Sequence, residues 1–367
     1  MLYRNVYLQD NFRLANAGTR TVDVNIQDPI TSFWVKFQCT NGATSNKQNS
    51  LARNISAIEL IDGADVLYSM TGVEAFARAA YTMGKIPRVD VSEGAGSVHA
   101  VCIPMLFGTH EGDKVRSFDP TRFTNPQLRF SWNLATVNAV GAAGFAGANL
   151  DLSVVAHVMD GAPKPSSFLM HKQVYTWTSA AAGWEYIDLP TDYPYQGMLL
   201  HGVLAANPWH WIWDQIRINC DGGKFIAMNQ RGWDLEHQLQ DLYGRFAYRH
   251  EFYCQNANQL QMLLREDEAP SFTVSGLNDI THEYTNAGSG EGNFLAQAGG
   301  VNLVADTIFF ADVTGYNPYD CVYLPFGDQR DASDWFPATM FKGVKLEVRG
   351  GVNAAADSLV ITQDRTY

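Results

Sequence analysis

The sequence predicts an all-β chain built from two tandem copies of one sandwich domain, each copy carrying a single short helix. Three observations point there. A strand, turn and helix unit occurs twice, at Ile58–Gly84 and Ile216–Gly244. Further strand-like runs flank both occurrences in the same order. Short alternating runs then recur between turns rich in Gly, Pro and Asn, with few helical patterns, which is the pattern of sandwiches and barrels.

Each repeated unit reads as an apolar-alternating strand, an Asp-Gly turn, a second short apolar run and a helix closed by Gly. The turns are Asp62-Gly63 and Asp221-Gly222. This dipeptide supplies the positive φ that a tight hairpin between twisted strands needs. The helices that follow carry Val73, Phe76, Ala77, Ala80 and Tyr81 in one copy and Leu235, Leu239, Leu242 and Tyr243 in the other, one apolar stripe each.

The flanking runs correspond pairwise. Before the unit, Thr21–Ile26 and Phe33–Phe37 match Trp184–Leu189 and Met198–Val203. After it, Val101–Pro104 matches Val322–Pro325, Leu128–Phe130 matches Leu346–Val348, and Leu150–Val154 matches Leu359–Ile361. Conserved order at similar spacing identifies an internal duplication.

Taken in order, residues 1–19 are expected to be an N-terminal arm, tilted positive by Arg4 and Arg13 (with Arg20 just beyond) against Asp10 and interleaved with Leu2, Tyr3, Val6, Tyr7 and Phe12. Such an arm lies on its own or a neighbouring subunit, or faces an anionic membrane or genome. The first domain spans 20–162: two strands broken at Asp28-Pro29, a polar loop from Thr40 to Ser50, the hairpin and helix, strands near 97–107 and 127–134, a small-residue tip at Val140–Gly147 and a closing strand from 150 to 158. Residues 163–170 read as a proline-stiffened linker. The second domain, 171–367, differs in one place. From the helix-closing Gly to the apolar-Pro pair the first copy runs from 84 to 104 and the second from 244 to 325, about sixty residues longer. That insertion, about 245–320, includes strand-like Phe246–Tyr253, Leu260–Leu264 and Val301–Phe310 around a flexible Gly288–Gly292, and is expected to protrude from one end of the domain. About six strands per copy are legible. A jelly roll needs eight in two facing sheets, so the remainder are expected in 85–120 and in the loops; a Greek-key or lectin-like sandwich stays open.

Composition narrows the function classes. A hydrophobic content of 46% with 17% charged residues excludes general disorder, and nine Trp favour extensive strand and interface packing. No apolar run approaches the roughly 18 residues that span a bilayer, and no basic-then-apolar leader opens the chain; the expectation is a soluble chain that stays where it is made. The net charge of -12, without clustered Lys and Arg, argues against sequence-specific or coating contact with nucleic acid. Cysteines 39, 102, 220, 254 and 321 are odd in number and form no CxxC pair, so they read as reduced core thiols.

Two tandem sandwiches, a Gly-ended helix in each, a short proline linker, an enlarged loop in one copy and no visible catalytic apparatus resemble the double jelly-roll major capsid proteins of tailless icosahedral phages and adenoviruses. The likeness covers about residues 20–361 and is architectural, with no diagnostic motif. It implies two tandem eight-stranded jelly rolls and a homotrimeric capsomer of hexagonal outline, since three copies of a doubled unit tile a closed lattice with one gene product. It further implies capsomer–capsomer contacts, vertex (penton) and minor capsid proteins as partners, an internal membrane beneath some shells, an outward tower at 245–320, and a virion protein made and assembled in the host cytoplasm.

Enzymatic and carbohydrate readings have thinner support. The nine histidines contain no HxH, so a bicupin metal site is missing in its usual form, and no cofactor or metal is expected. His110-Glu111, His250-Glu251 and His282-Glu283 read as solvated or structural pairs. Glu266-Asp267-Glu268 reads as a solvated turn, and Asp234 and Glu236 as helix-start carboxylates that complement the dipole. Neither a phosphate loop nor a nucleophile elbow occurs. Pro208–Trp213 would, if extended, put Trp209, Trp211 and Trp213 on one strand face, a platform for sugar rings and the basis of the runner-up reading, a two-domain carbohydrate-binding or glycan-hydrolysing protein. Burial of these Trp between sheets or at a subunit contact is the favoured alternative.

Overall fold

The computed structural model describes residues 2–40, 50–90, 96, 98–135, 145, 147, 149–203, 209–254 and 307–367, with the backbone of short strands between 259 and 302. In the first half, β1 (Leu2–Leu14), β2 (Ala17–Asp23), β3 (Ile30–Thr40), β4 (Ile55–Asp62) and β5 (Asp65–Met70) precede helix α1 (Gly72–Met83). Strands β6 (Val89–Asp90), β7 (Val98–Leu106), β8 (Pro126–Asn133) and β9 (Leu150–Asp160) follow it. The second half repeats the plan with β10 (Ser167–Thr178), β11 (Trp184–Leu189), β12 (Tyr195–Val203), β13 (Trp213–Cys220), β14 (Phe225–Arg231) and α2 (Gly232–Tyr243). The insertion supplies β15 (Phe246–Cys254), β16 (Gln259–Gln261), β17 (Ser271–Gly276), β18 (Thr281–Thr285), β19 (Asn293–Leu295), β20 (Gln297–Ala298), β21 (Val301–Asn302) and β22 (Thr307–Gly315). The chain closes with β23 (Cys321–Pro325), β24 (Val344–Gly350) and β25 (Ala356–Thr366).

The two halves have one topology. In the first, the order β1-β9-β3-β7 forms one sheet and β2-β8-β4-β5 the other; in the second, β10-β25-β12-β23 and β11-β24-β13-β14 take the same places. Each half is an eight-stranded jelly roll, so the fold is a double jelly roll. Alternation explains the layers. In β3, Phe33, Val35, Phe37 and Cys39 are buried against Leu128 and Phe130 of β8 and Ile58 and Leu60 of β4, across the first core. The second core is built the same way from Ile216 and Ile218, Leu346 and Val348, and Leu359 and Ile361.

Both Asp-Gly hairpins form as the sequence predicts, Gly63 with φ +60° and Asp221 and Gly222 with φ +51° and +68°. Each helix begins at a Gly for a steric reason: a Cβ at Gly72 would lie 2.3 Å from the Ala52 carbonyl oxygen, and one at Gly232 would lie 2.0 Å from that of Trp213. The helix starts differ in one respect. Thr71 and Glu74 form a reciprocal capping box on α1, whereas Arg231 gives α2 no side-chain cap.

Each roll opens with a strand that no sequence pattern marks, β1 in the first and β10 in the second. Residues 1–19 are not a separate arm: β1 runs antiparallel along β9 from Leu2 opposite Asp160 to Leu14 opposite Leu150 and is the edge strand of the first roll. It escapes pattern recognition because an edge strand exposed along most of its length shows no clear apolar alternation. The 163–170 linker is likewise shorter, since Ser167 already pairs with Thr366 as β10 begins. Among its described residues, segment 85–120 contributes the two-residue β6 and β7, the latter already expected.

The insertion forms its own four-stranded antiparallel sheet, in the order β15-β22-β17-β18, with two small two-stranded ladders beside it. The expected strands at Phe246–Tyr253 and at the end of Val301–Phe310 are present in β15 and β22. Gly288–Gly292 lies outside the described residues, as do most of the loops at 40–50 and 140–147.

Candidate assembly surfaces

The joint between the two rolls holds a buried polar cluster. β5 of the first roll lies parallel to β10 of the second, with Tyr68 opposite His171 and Ser69 opposite Lys172, so that one eight-stranded sheet runs through both rolls. The rings of Tyr68 and His171 meet edge to face at 5.6 Å.

Helix α1 closes the joint with both of its charged side chains buried, Glu74 fully and Arg78 to 4% exposure. The Glu74 carboxylate accepts from the Thr71 amide and the Gln173 side chain, both at 2.8 Å, and from the Ser358 hydroxyl. Arg78 donates to Gln196 at 2.6 Å and to Thr362 at 3.3 Å, and its guanidinium lies 4.3 Å above the Tyr323 ring. All of these partners except Thr71 belong to the second roll. One turn on, Tyr81 donates to the Cys321 carbonyl at 3.0 Å and packs against Tyr243, Phe246 and Tyr323. Burial raises the pKa of the Tyr81 phenol well above its usual value, so it stays a neutral donor.

The chain's outer edges carry the contrasting surfaces. On β1, Leu2, Tyr3 and Tyr7 are 73%, 59% and 62% exposed. In the second roll, β14 ends its sheet and exposes Phe225 and Ile226, and Trp233 projects from the start of α2 at 54% exposure. Between β14 and α2 lies a hollow of about 560 Å³ lined by Gln215, Asn229, Gln230, Arg231, Asp234, His237 and Gln238. Exposed apolar side chains beside open strand edges are features of interfaces.

Among the described residues, those singled out in the sequence do not converge on a reactive site. Glu111 accepts from Thr31 at 2.7 Å and Ser32 at 2.8 Å and meets His157 Nδ1 at 2.9 Å. Burial opposes its ionisation, but the hydrogen bonds from His157, Thr31 and Ser32 outweigh that and hold the carboxyl below its usual range. Asp234 is in the first turn of α2, as expected. Glu236 is different: it is 1% exposed and hydrogen-bonded to His210, so it ties α2 to the Trp209–Trp211 turn rather than serving the helix dipole. That contact spans 26 residues and has no local sequence signal. His250, Glu251, Glu266, Glu268, His282 and Glu283 lie outside the described side chains.

The Trp platform does not form. Residues Trp209–Trp211 make a 3₁₀ turn, which sends Trp209 and Trp213 into the second core at 1% and 0% exposure, their rings 5.7 Å apart. Trp211 alone faces out, at 43%. Among the described residues no group of three or more His, Cys, Asp or Glu is placed to hold a metal ion, and no helix is long and apolar enough to cross a membrane. Cys39, Cys102, Cys220 and Cys321 are free thiols.

No protein-family profile matches the chain, and no curated protein matches it by sequence. Solved structures do match over its full length. The STIV MCP is similar at 10% identity and a TM-score of 0.62, covering 100% of this chain and 97% of that one. VP54 of PBCV-1 is 12% identical with a TM-score of 0.57, over 99% and 94% of the two chains. The major capsid protein of bacteriophage PM2 is 10% identical with a TM-score of 0.54, over 100% and 98%. From end to end, the chain has the double jelly-roll fold of the major capsid proteins of icosahedral viruses.

Proposed function

We propose that the chain is a major capsid protein whose homotrimers form pseudo-hexameric capsomers of an icosahedral shell. The observation that carries this is the joint between the rolls. Within the chain, the β5 edge and α1 of one roll meet the β10 edge of the next, while the equivalent β14 edge with α2 and the equivalent β1 edge stand open at the two ends. A head-to-tail contact generates a ring when its repeated rotation closes. Six rolls in three chains are the ring that the likeness to capsid proteins supports.

In this role the protein works by assembly rather than turnover, with apolar and aromatic surface buried at many repeated contacts. Its partners are further copies of itself, vertex and minor capsid proteins and, in some shells, an internal membrane. The sheet built on β15 and β22 is the outward tower, and the finished protein resides in the virion after assembly in the host cytoplasm.

The test is the solution mass of the purified chain by light scattering, with negative-stain images of the same peak. A particle of about 122 kDa, three times 40.7 kDa, with a hexagonal outline is expected. A species that remains monomeric at high concentration refutes the proposal.

A further inference from the structure

We infer that the contact between neighbouring copies is a parallel strand addition in a defined register: β1 of one copy lies beside β14 of the next, Asn5 opposite Met228 and Val6 opposite Asn229. This pairing rests on the trimer reading above and fixes its geometry.

The register follows from two irregularities that the duplication has kept. β5 and β14 are equivalent strands, and each carries a bulge against its hairpin partner at the same place. The pairing skips from Leu60 opposite Tyr68 to Ile61 opposite Val66 in one copy, and from Ile218 opposite Met228 to Asn219 opposite Ile226 in the other. Tyr68 therefore corresponds to Met228 and Ser69 to Asn229, in step with the helix-opening Gly72 and Gly232. β10 and β1 are equivalent in the same way, with bulges between Gln173 and Tyr175 and between Tyr7 and Gln9. That alignment makes Asn5 the counterpart of His171 and Val6 the counterpart of Lys172. The intrachain pairs Tyr68 with His171 and Ser69 with Lys172 then translate into Met228 with Asn5 and Asn229 with Val6.

Both strands have what this addition needs. Each is the terminal strand of its sheet, leaving a row of backbone donors and acceptors on the outer side. Tyr3, Tyr7, Phe225, Ile226 and Trp233 are exposed along the two edges, and the contact covers them. Trp233 stands where α1 has Val73, which is 5% exposed.

The experiment uses the full chain with paired cysteines, Asn5→Cys with Met228→Cys, under a mild oxidant or a short bis-maleimide. Disappearance of the monomer band into a covalent ladder ending at three chains is the expected result. The control pair, Leu2→Cys with Gln230→Cys, is displaced by five residues on one strand, about 17 Å at strand rise, and is expected to leave the monomer band intact. A trimer by light scattering whose Asn5 and Met228 cysteines cross-link no better than the control overturns the register while leaving the capsomer reading in place. A wild-type monomer overturns both. Hydrogen exchange on unmodified protein gives a check that no substitution can disturb: slow exchange at 226–230 and 3–7 in the trimer is expected, and rapid exchange at both edges overturns the pairing.

Discussion

Replacing Arg78 by Met tests whether the buried polar cluster on α1 couples the two rolls. The substitution keeps an unbranched apolar side chain of helix-compatible shape and removes the guanidinium. Two hydrogen bonds across the joint are lost, to Gln196 at 2.6 Å and Thr362 at 3.3 Å, together with the contact over Tyr323. Hydrogen bonds to a charged group contribute about 1.5–3 kcal/mol each, and burial of the Met side chain recovers part of the loss, so a destabilisation of about 4 kcal/mol is expected. The assay is urea denaturation read by tryptophan fluorescence and by hydrogen exchange in each roll. The wild type is expected to unfold as one unit, while Arg78→Met separates the transitions, exposing β12 and β23 in the milder one. A single transition with a loss below about 1 kcal/mol would refute the coupling role and leave the rings of Tyr81, Tyr243, Tyr323 and Phe246 as the joint's main support.

Two further outcomes are specific enough to check by the same denaturation. Trp209→Ala is expected to cost about 3–5 kcal/mol because it empties a buried aromatic site, whereas Trp211→Ala should stay within about 0.5 kcal/mol; equal effects would contradict the burial contrast. Asp357 titrates against burial, which pushes its carboxyl up to about 7 although Ser179 donates to it. Between its ordinary 3.8 and about 7 the folded protein keeps a proton that the unfolded chain has lost. Stability from this group is therefore complete below the lower value and falls as pH rises through the window, by up to about 4 kcal/mol. Asp357→Asn should flatten that slope, and an unchanged pH profile would refute the assignment.

Much of this fold was legible because its signals are local. Asp62-Gly63 and Asp221-Gly222 dictate hairpins, and the stripes at Val73–Tyr81 and Leu235–Tyr243 dictate helices, regardless of what surrounds them. The legible strands were those with one buried and one exposed face. β1 lacked that contrast, as an open edge must, and β10 lay concealed behind its prolines. The Trp209–Trp213 stretch was readable as buried but not as a turn: alternate spacing suits a strand, yet the four-residue separation of Trp209 and Trp213 equally suits one helical turn. The surfaces proposed for assembly were the least legible part. What makes β14 and β1 complementary is a pair of bulges and a parallel contact elsewhere in the chain, and pairing register leaves no trace in composition or motif.

The two helices differ most in the side chains that face a neighbouring roll. Counting from Gly72 and Gly232, the positions that hold Glu74, Arg78 and Tyr81 on α1 hold Asp234, Gln238 and Asp241 on α2. On α1 these groups are sealed at synthesis against a roll of the same chain, where effective concentration is high and a buried charge keeps its partners permanently. In the proposed capsomer, the corresponding face of α2 stays in water until another copy arrives. A buried guanidinium there would have to be desolvated at each encounter, a cost of several kcal/mol before any hydrogen bond is made. Gln238 avoids that cost and Asp234 remains solvated in the open hollow, while Trp233 supplies apolar area that gains from burial without a desolvated charge. A joint formed once can be built on charge; a joint that must form by diffusion between copies is better built on edge strands and exposed aromatic rings.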